Sequence, residues 1–185
     1  MQFSPKQITL KDGRIAILRS PEPVGDAAEL VQYLYDTAAD TEFVLRTPDE
    51  VSMTEEKEIG FLRWVVGSPD DCMILCEVDG RIAGNCHLSF RTKAKVRHRC
   101  DVAIALRKAF WGQGIGTAMF EAMEDVARAR EGVTVMELEF IEGNSRARGL
   151  YEKMGFRITG MHPDAIRQED GKLLALYIMQ KELEG

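Results

Sequence analysis

In the stretch AFWGQGIGTAM, residues 109–119, glycine stands at 112, 114 and 116. A strand-like run, CDVAIAL, precedes it at residues 100–106. After it, Ile115, Met119, Ala122, Met123 and Val126 repeat as one face of a helix running to about Arg130. A helix start leaves backbone N–H groups unpaired, and its dipole favours negative charge. Glycines let those groups turn inward and let an anion approach with no Cβ in the way. Trp111, Gly112, Gln113, Gly114, Ile115, Gly116 and Thr117 therefore read as a phosphate cradle, best suited to a diphosphate. A tight turn that packs the helix on a sheet is the plainer alternative. Other phosphate loops fit poorly. Thr117 and Ala118 follow the last glycine, so no lysine completes a P-loop. GxGxxG fails too: its sixth position is Thr117 counted from Gly112 and Met119 counted from Gly114.

Acid–base candidates lie close by. On the strand before the loop, Asp101, Ala103 and Ala105 share one face, and Val102, Ile104 and Leu106 share the other. On the next strand-like run, VTVMELEF, Glu137 and Glu139 share a face. Each of these carboxylates reads equally well as a strand-surface group. His87 and His98, near strand ends, are weaker candidates.

The elements that hold these residues follow from pattern. Three Asp-Gly pairs, at 12–13, 79–80 and 170–171, each predict a hairpin. The middle pair joins CMILCEV to RIAGNCHLSF. DAAELVQYLYDTAAD predicts a helix with Leu30, Val31, Leu34 and Tyr35 on one face. SMTEEKEIGFLRWVV predicts a second helix, with Ser52 and Glu55 at capping-box spacing and Ile59, Leu62, Trp64 and Val66 apolar. NSRARGLYEKM predicts a short helix, capped by Asn144 and ended by Gly155. FRITG and KLLALYIMQKEL finish the chain as strands. The result is an α/β chain of the α+β type, a mixed sheet with helices on both faces, in a single domain over residues 1–185.

Composition sets limits. The 185 residues are 45% hydrophobic, which favours a packed core over disorder. A net charge of −6 argues against nucleic acid as a partner. No apolar run is long enough to span a membrane, and the N-terminus lacks the apolar stretch of a signal peptide. Cys72, Cys76, Cys86 and Cys100 show no metal-ligand spacing, so no metal is expected. They read as reduced, buried thiols of a cytoplasmic protein. The basic stretch RTKAKVRHR, residues 91–99, reads as a solvated hairpin tip.

WGQGIGTAM together with NSRARGLYEKMGF resembles the two signature segments of the GNAT acetyltransferase superfamily, whose members move an acetyl group from acetyl-CoA to an amine. The first resembles Q/R-x-x-G-x-G/A, with Trp111 where Gln or Arg usually stands, a position that acts largely through its backbone N–H. The second resembles N-x-x-A-x-x-L-Y-x-K-x-G-F, matched by Asn144, Ala147, Leu150, Tyr151, Lys153, Gly155 and Phe156. The resemblance implies a mostly antiparallel sheet that splays between the strands at 100–106 and 133–140. Pantetheine would lie in the gap and pair like an added strand with the backbone groups of Ile104, Ala105 and Leu106. The loop from Trp111 to Thr117 would hold the diphosphate, and Asn144, Ala147, Tyr151 and Lys153 would complete the cofactor site. It implies Tyr151 as acid for the leaving thiolate and the N–H near Ile104 for the oxyanion. Asp101 stands where many relatives carry a glutamate and would serve as base, with Glu137 and Glu139 open as alternatives. It also implies a small-molecule amine or amino acid as acceptor, acetyl-CoA as co-substrate and a homodimer as one arrangement. A protein N-terminal acetyltransferase and a non-catalytic acyl-CoA-binding module stay open. The basic tip lies on the acceptor side and would favour acceptors that carry an anion.

Overall fold

The computed structural model describes residues 1–183; Glu184 and Gly185, the end of the expected domain, lie outside the described residues. The strands are β1 (Lys6–Thr9), β2 (Ile15–Arg19), β3 (Asp71–Val78), β4 (Arg81–Phe90), β5 (Arg99–Leu106), β6 (Val135–Ile141), β7 (Arg157–Arg167) and β8 (Leu173–Glu182). The helices are α1 (Ala27–Asp40), α2 (Glu55–Gly67), α3 (Ile115–Ala129) and α4 (Ser145–Lys153). The strands form one sheet of eight in the order β1-β2-β3-β4-β5-β6-β8-β7. Every neighbouring pair is antiparallel except β5 with β6. This is the mixed sheet that the element pattern predicts, mostly antiparallel as the resemblance implies.

All three Asp-Gly pairs close hairpins, by different turns. Asp79 and Gly80 have φ of +51° and +74°, the positive values that a two-residue type I′ turn needs, and Val78 pairs directly with Arg81. At the other two sites only the glycine is left-handed, and the loops are longer.

Side chains alternate across the strands and build a core on each face. One core lies under α3 and α4 and takes Cys86, Val102, Met119, Phe120 and Tyr151. The other lies under α1 and α2 and takes Leu30, Tyr33, Leu62, Val65, Met73 and Leu75. Two helix faces differ from the sequence pattern. α1 buries Ala27, Leu30, Tyr33, Thr37 and Ala38, while Tyr35 stays half-exposed. Tyr33 is drawn in because its hydroxyl has partners in the sheet, described below. In α2, Leu62 and Val65 face the core; Trp64 lies outside, against Phe61 with ring centroids 5.9 Å apart. The cap of α2 is Thr54, which accepts from the Lys57 N–H at 3.3 Å, so the expected Ser52–Glu55 box is not used.

Two predictions come from this packing. A Cβ on Gly84 would stand 2.0 Å from Leu106 Cδ2 and 2.8 Å from the Ala105 carbonyl oxygen. Backbone cannot yield as a side-chain tip does, so Gly84→Ala should destabilise by about 1–3 kcal/mol in urea unfolding. The four free cysteines are all buried. Burial pushes the Cys76 and Cys100 thiols up to about 12. Ellman titration at neutral pH should therefore find no fast-reacting thiol in the folded chain and all four after unfolding.

Candidate active site

β5 and β6 pair only at Arg99 with Val135, Cys100 with Met136 and Asp101 with Glu137. β5 continues along β4 to Leu106, and β6 continues along β8 to Ile141, so the two strands part beyond Asp101. Two hydrogen bonds set which way the β5 backbone points. The Arg91 N–H donates to the Arg99 carbonyl at 3.1 Å, and the Arg107 N–H donates to the Ala83 carbonyl at 2.9 Å. An antiparallel ladder alternates, so Asp101, Ala103 and Ala105 direct their backbone groups to β4. Val102, Ile104 and Leu106 direct theirs into the gap. The Ile104 N–H thus faces the opening, whereas Ala105 meets it through its side chain, not through the backbone contact that the resemblance implies. Tyr33 marks this difference. Its hydroxyl lies between the strands, 2.7 Å from the Ala105 carbonyl oxygen and 3.3 Å from the Asn85 N–H.

A cavity of about 850 Å³ fills the gap. Its lining takes in Asp101, Ile104, Ala105, Leu106, Trp111, Gly112, Gly114, Gly116, Thr117, Asn144, Ala147 and Tyr151, which the sequence had singled out. Three others of that set do not line it. Gln113 turns to the β1–β2 hairpin, where its side-chain oxygen and its carbonyl accept from the N–H groups of Asp12 and Lys11. Ile115 is buried in the core under α3. Lys153 stands behind the rim, its Nζ 3.3 Å from Thr117 Oγ1.

The glycines divide their work. Gly112 and Gly114 have φ of +80° and +91°, and a Cβ on either would meet open space. Their backbone conformation is what excludes other residues. Gly114 heads α3, leaving the N–H groups of Ile115, Gly116 and Thr117 outside the helical ladder. Gly116 is different: a Cβ there would stand 2.8 Å from Leu150 Cδ2, so it lets α3 and α4 meet closely. The Trp111 N–H, expected to act on a ligand, donates instead to the Lys108 carbonyl at 3.1 Å. The Trp111 indole N–H holds the Leu106 carbonyl at 2.9 Å, and Arg146 lies over its ring at 5.0 Å.

Asn144 caps α4 by accepting from the Ala147 N–H at 3.1 Å. That helix carries Tyr151 into a cluster with Phe120, Phe140 and Phe156, at ring separations of 5.5, 6.0 and 6.4 Å. The ring is fixed, and its hydroxyl has no hydrogen-bond partner among the described residues. Burial pushes the phenol up to about 12, so it keeps its proton at neutral pH.

The carboxylates sit at the point where the strands part. Arg91 holds Asp101 through two bonds, of 2.6 and 3.0 Å, and reaches Glu137 at 2.8 Å. Arg99 and Gln180 also bind Glu137. Glu139 lines the cavity with no ion pair among the described residues. The basic stretch at 91–99 is therefore not a free anion reader: its two ends, Arg91 and Arg99, are taken up by acids of the chain itself, and its middle is exposed. The sequence reading missed Lys11, Thr37, Phe43, Val44 and Arg146, which also line the cavity. Arg146 lay inside the NSRARGLYEKM helix and could have been noted; the others come from distant segments.

Residues 31–156, about two thirds of the chain, match the Acetyltransferase (GNAT) family. A crystal structure of a GNAT-family acetyltransferase from Streptococcus pneumoniae is 30% identical, with a TM-score of 0.84 over 91% of this chain and 99% of that one. A chain from Salmonella typhimurium, solved with its cofactor acetyl-CoA, shares the fold at a TM-score of 0.75 and 19% identity, over 91% and 94%. An L-methionine sulfoximine/L-methionine sulfone acetyltransferase from Pseudomonas aeruginosa is 36% identical over 73 residues. That match spans 40% of this chain and 41% of the relative. The chain belongs to the GNAT family of acetyltransferases.

Proposed function

We propose that the chain transfers the acetyl group of acetyl-CoA to the primary amine of a small, amino-acid-like molecule. The observation that carries this reading is one cavity lined by Gly112, Gly114, the gap-facing wall of β5 and Tyr151. The first turn of α3 offers free N–H groups to the diphosphate, with Lys11 and Arg146 as cations on the same cavity. Pantetheine lies along Val102, Ile104 and Leu106 like an added strand. The partial match to a methionine sulfone acetyltransferase supports an amino-acid-type acceptor.

The chemistry follows from these positions. The neutral amine attacks the thioester carbonyl carbon, and the carbonyl oxygen gains charge that the Ile104 N–H stabilises. The C–S bond then breaks, and the thiolate takes the proton of the Tyr151 hydroxyl. The proton lost by the amine passes to Asp101, whose carboxylate Arg91 holds in place, directly or through water. Products are the N-acetylated amine and free CoA; passage of the proton from Asp101 through water to the Tyr151 phenolate resets both groups.

Thiol release from acetyl-CoA, measured with amino acids, polyamines and N-terminal peptides, tests the reading. Tyr151→Phe should lower kcat roughly 100-fold while calorimetry finds acetyl-CoA affinity unchanged. A variant with full turnover would remove Tyr151 from the acid role. In the wild type, the phenol held up to about 12 predicts no loss of rate from its ionisation through the mildly alkaline range. A fall in kcat there that vanishes in Tyr151→Phe would contradict this.

A further inference from the structure

A second cavity, of about 360 Å³, lies between α1, α2, the segment joining them, and strands β3 and β4. Leu30, Leu34, Val51, Met53, Phe61 and Met73 give it apolar walls. It opens on the same sheet face as the acceptor side of the gap. Its Asn85 and His87 pair across the strands with Ala105 and Ala103, which line the main cavity. Residues paired in this way have side chains on one face, about 5 Å apart. Asp101 and Glu137 continue the same face.

Arg46 is the unusual group here. Arg14, Arg19, Arg91, Arg99, Arg107 and Arg130 are all at least partly buried, and each pairs with a carboxylate. Arg46, also half-buried, has no such pair among the described residues. It donates to Thr37 Oγ1 at 3.0 Å and, less well, to the Leu34 carbonyl at 3.4 Å. Thr37 lines the main cavity, so Arg46 stands where the two cavities meet. Burial disfavours its charge, and its remaining N–H donors have no described acceptor. Glu58 is 2% exposed and lines this cavity; its carboxyl makes no hydrogen bond among the described residues and lies close enough to Arg46 for each to favour the other's charge. His87 Nε2 likewise makes no hydrogen bond: Asp71 Oδ1 is 3.2 Å away but out of line. Buried polar groups with no hydrogen-bond partner mark a place that a polar ligand completes.

We infer that this second cavity seats the body of the acceptor, and that Arg46 reads a carboxylate on it. The acceptor is then a small amine carrying a carboxylate and a side chain with a polar end. Its carboxylate meets the guanidinium at Thr37, its side chain lies among the apolar walls toward Glu58 and His87, and its amine points across Ala103 to the gap. The inference rests on the acetyl-transfer reading for the position of the amine, but the carboxylate site can be tested apart from turnover.

The test compares L-methionine sulfone with its carboxamide, which keeps the amine and loses the negative charge. With the full chain, kcat/KM should favour the acid at least roughly tenfold, mainly through KM. Arg46→Gln should cut kcat/KM for the acid roughly 10- to 100-fold and leave the amide and acetyl-CoA affinity nearly unchanged, with Arg46→Lys recovering part of the loss. A merely structural role for Arg46 would lower acid and amide alike, and that result overturns the inference. So does a wild type indifferent to the carboxylate, which needs no variant to detect, or one that acetylates only amines lacking it. Calorimetry of L-methionine sulfone against the CoA-loaded chain separates the two readings. Binding lost in Arg46→Gln, with no thiol release from any amine, would keep the carboxylate site and remove the proposed reaction.

Discussion

The pairing of β5 with β6 stops at Asp101 and Glu137, and the rest of the site depends on that stop. A sheet interior normally leaves no backbone group unpaired. Here Ile104 has lost its neighbour strand beyond the last pair, and a ligand with peptide-like groups can replace the missing strand. The Val102 N–H is still on the β6 side of that pair, and the Leu106 carbonyl is taken by the Trp111 indole. The last pair is pinned from both sides. Arg91 bridges Asp101 and Glu137, and Arg99 and Gln180 add to Glu137. The charged cluster thus closes the apex of the opening.

The other edge of the gap is stiffened from behind. Tyr33 of α1 inserts its hydroxyl at the Asn85–Ala105 pair. Arg107, just past β5, binds Glu29 and Asp36 of α1 and the Ile82 carbonyl, and lies over the Tyr33 ring at 5.4 Å. Helix α1 is therefore tied to the strand that faces the gap. The helix carrying Thr37 and the strand carrying Ile104 are fixed relative to each other. On the opposite sheet face, the contact of Gly116 with Leu150 and the ring cluster around Tyr151 do the same for α3 and α4.

Charge is distributed in the same local way. Most arginines of the chain that are not fully exposed answer a nearby acid, so a net charge of −6 says little about what the surface attracts. The basic stretch at 91–99 illustrates it: five cations in sequence become two structural clamps and an exposed middle. Arg46, which closes no ion pair among the described residues and has only the attraction of nearby Glu58, comes from a segment with no basic run at all.

The sequence alone determined the elements whose cause is local. The spacing of Gly112 and Gly114 needs left-handed backbone before a helix, and Asn144 with Gly155 bounds a short one; both are properties of a few adjacent residues. Alternation assigned Asp101 and Ile104 to opposite faces of β5. What it left undecided needed partners far along the chain. Tyr33 rather than Tyr35 is buried because Ala105 and Asn85, more than fifty residues away, accept its hydroxyl. Gly116 is a packing glycine only because Leu150 arrives against it. Arg91 is an ion-pair residue because the parallel pairing of β5 and β6 sets Asp101 beside Glu137. Helical and turn preferences act over about four residues. Which cation is paired and which is left over is set by pairings across the sheet, and only the tertiary structure contains those.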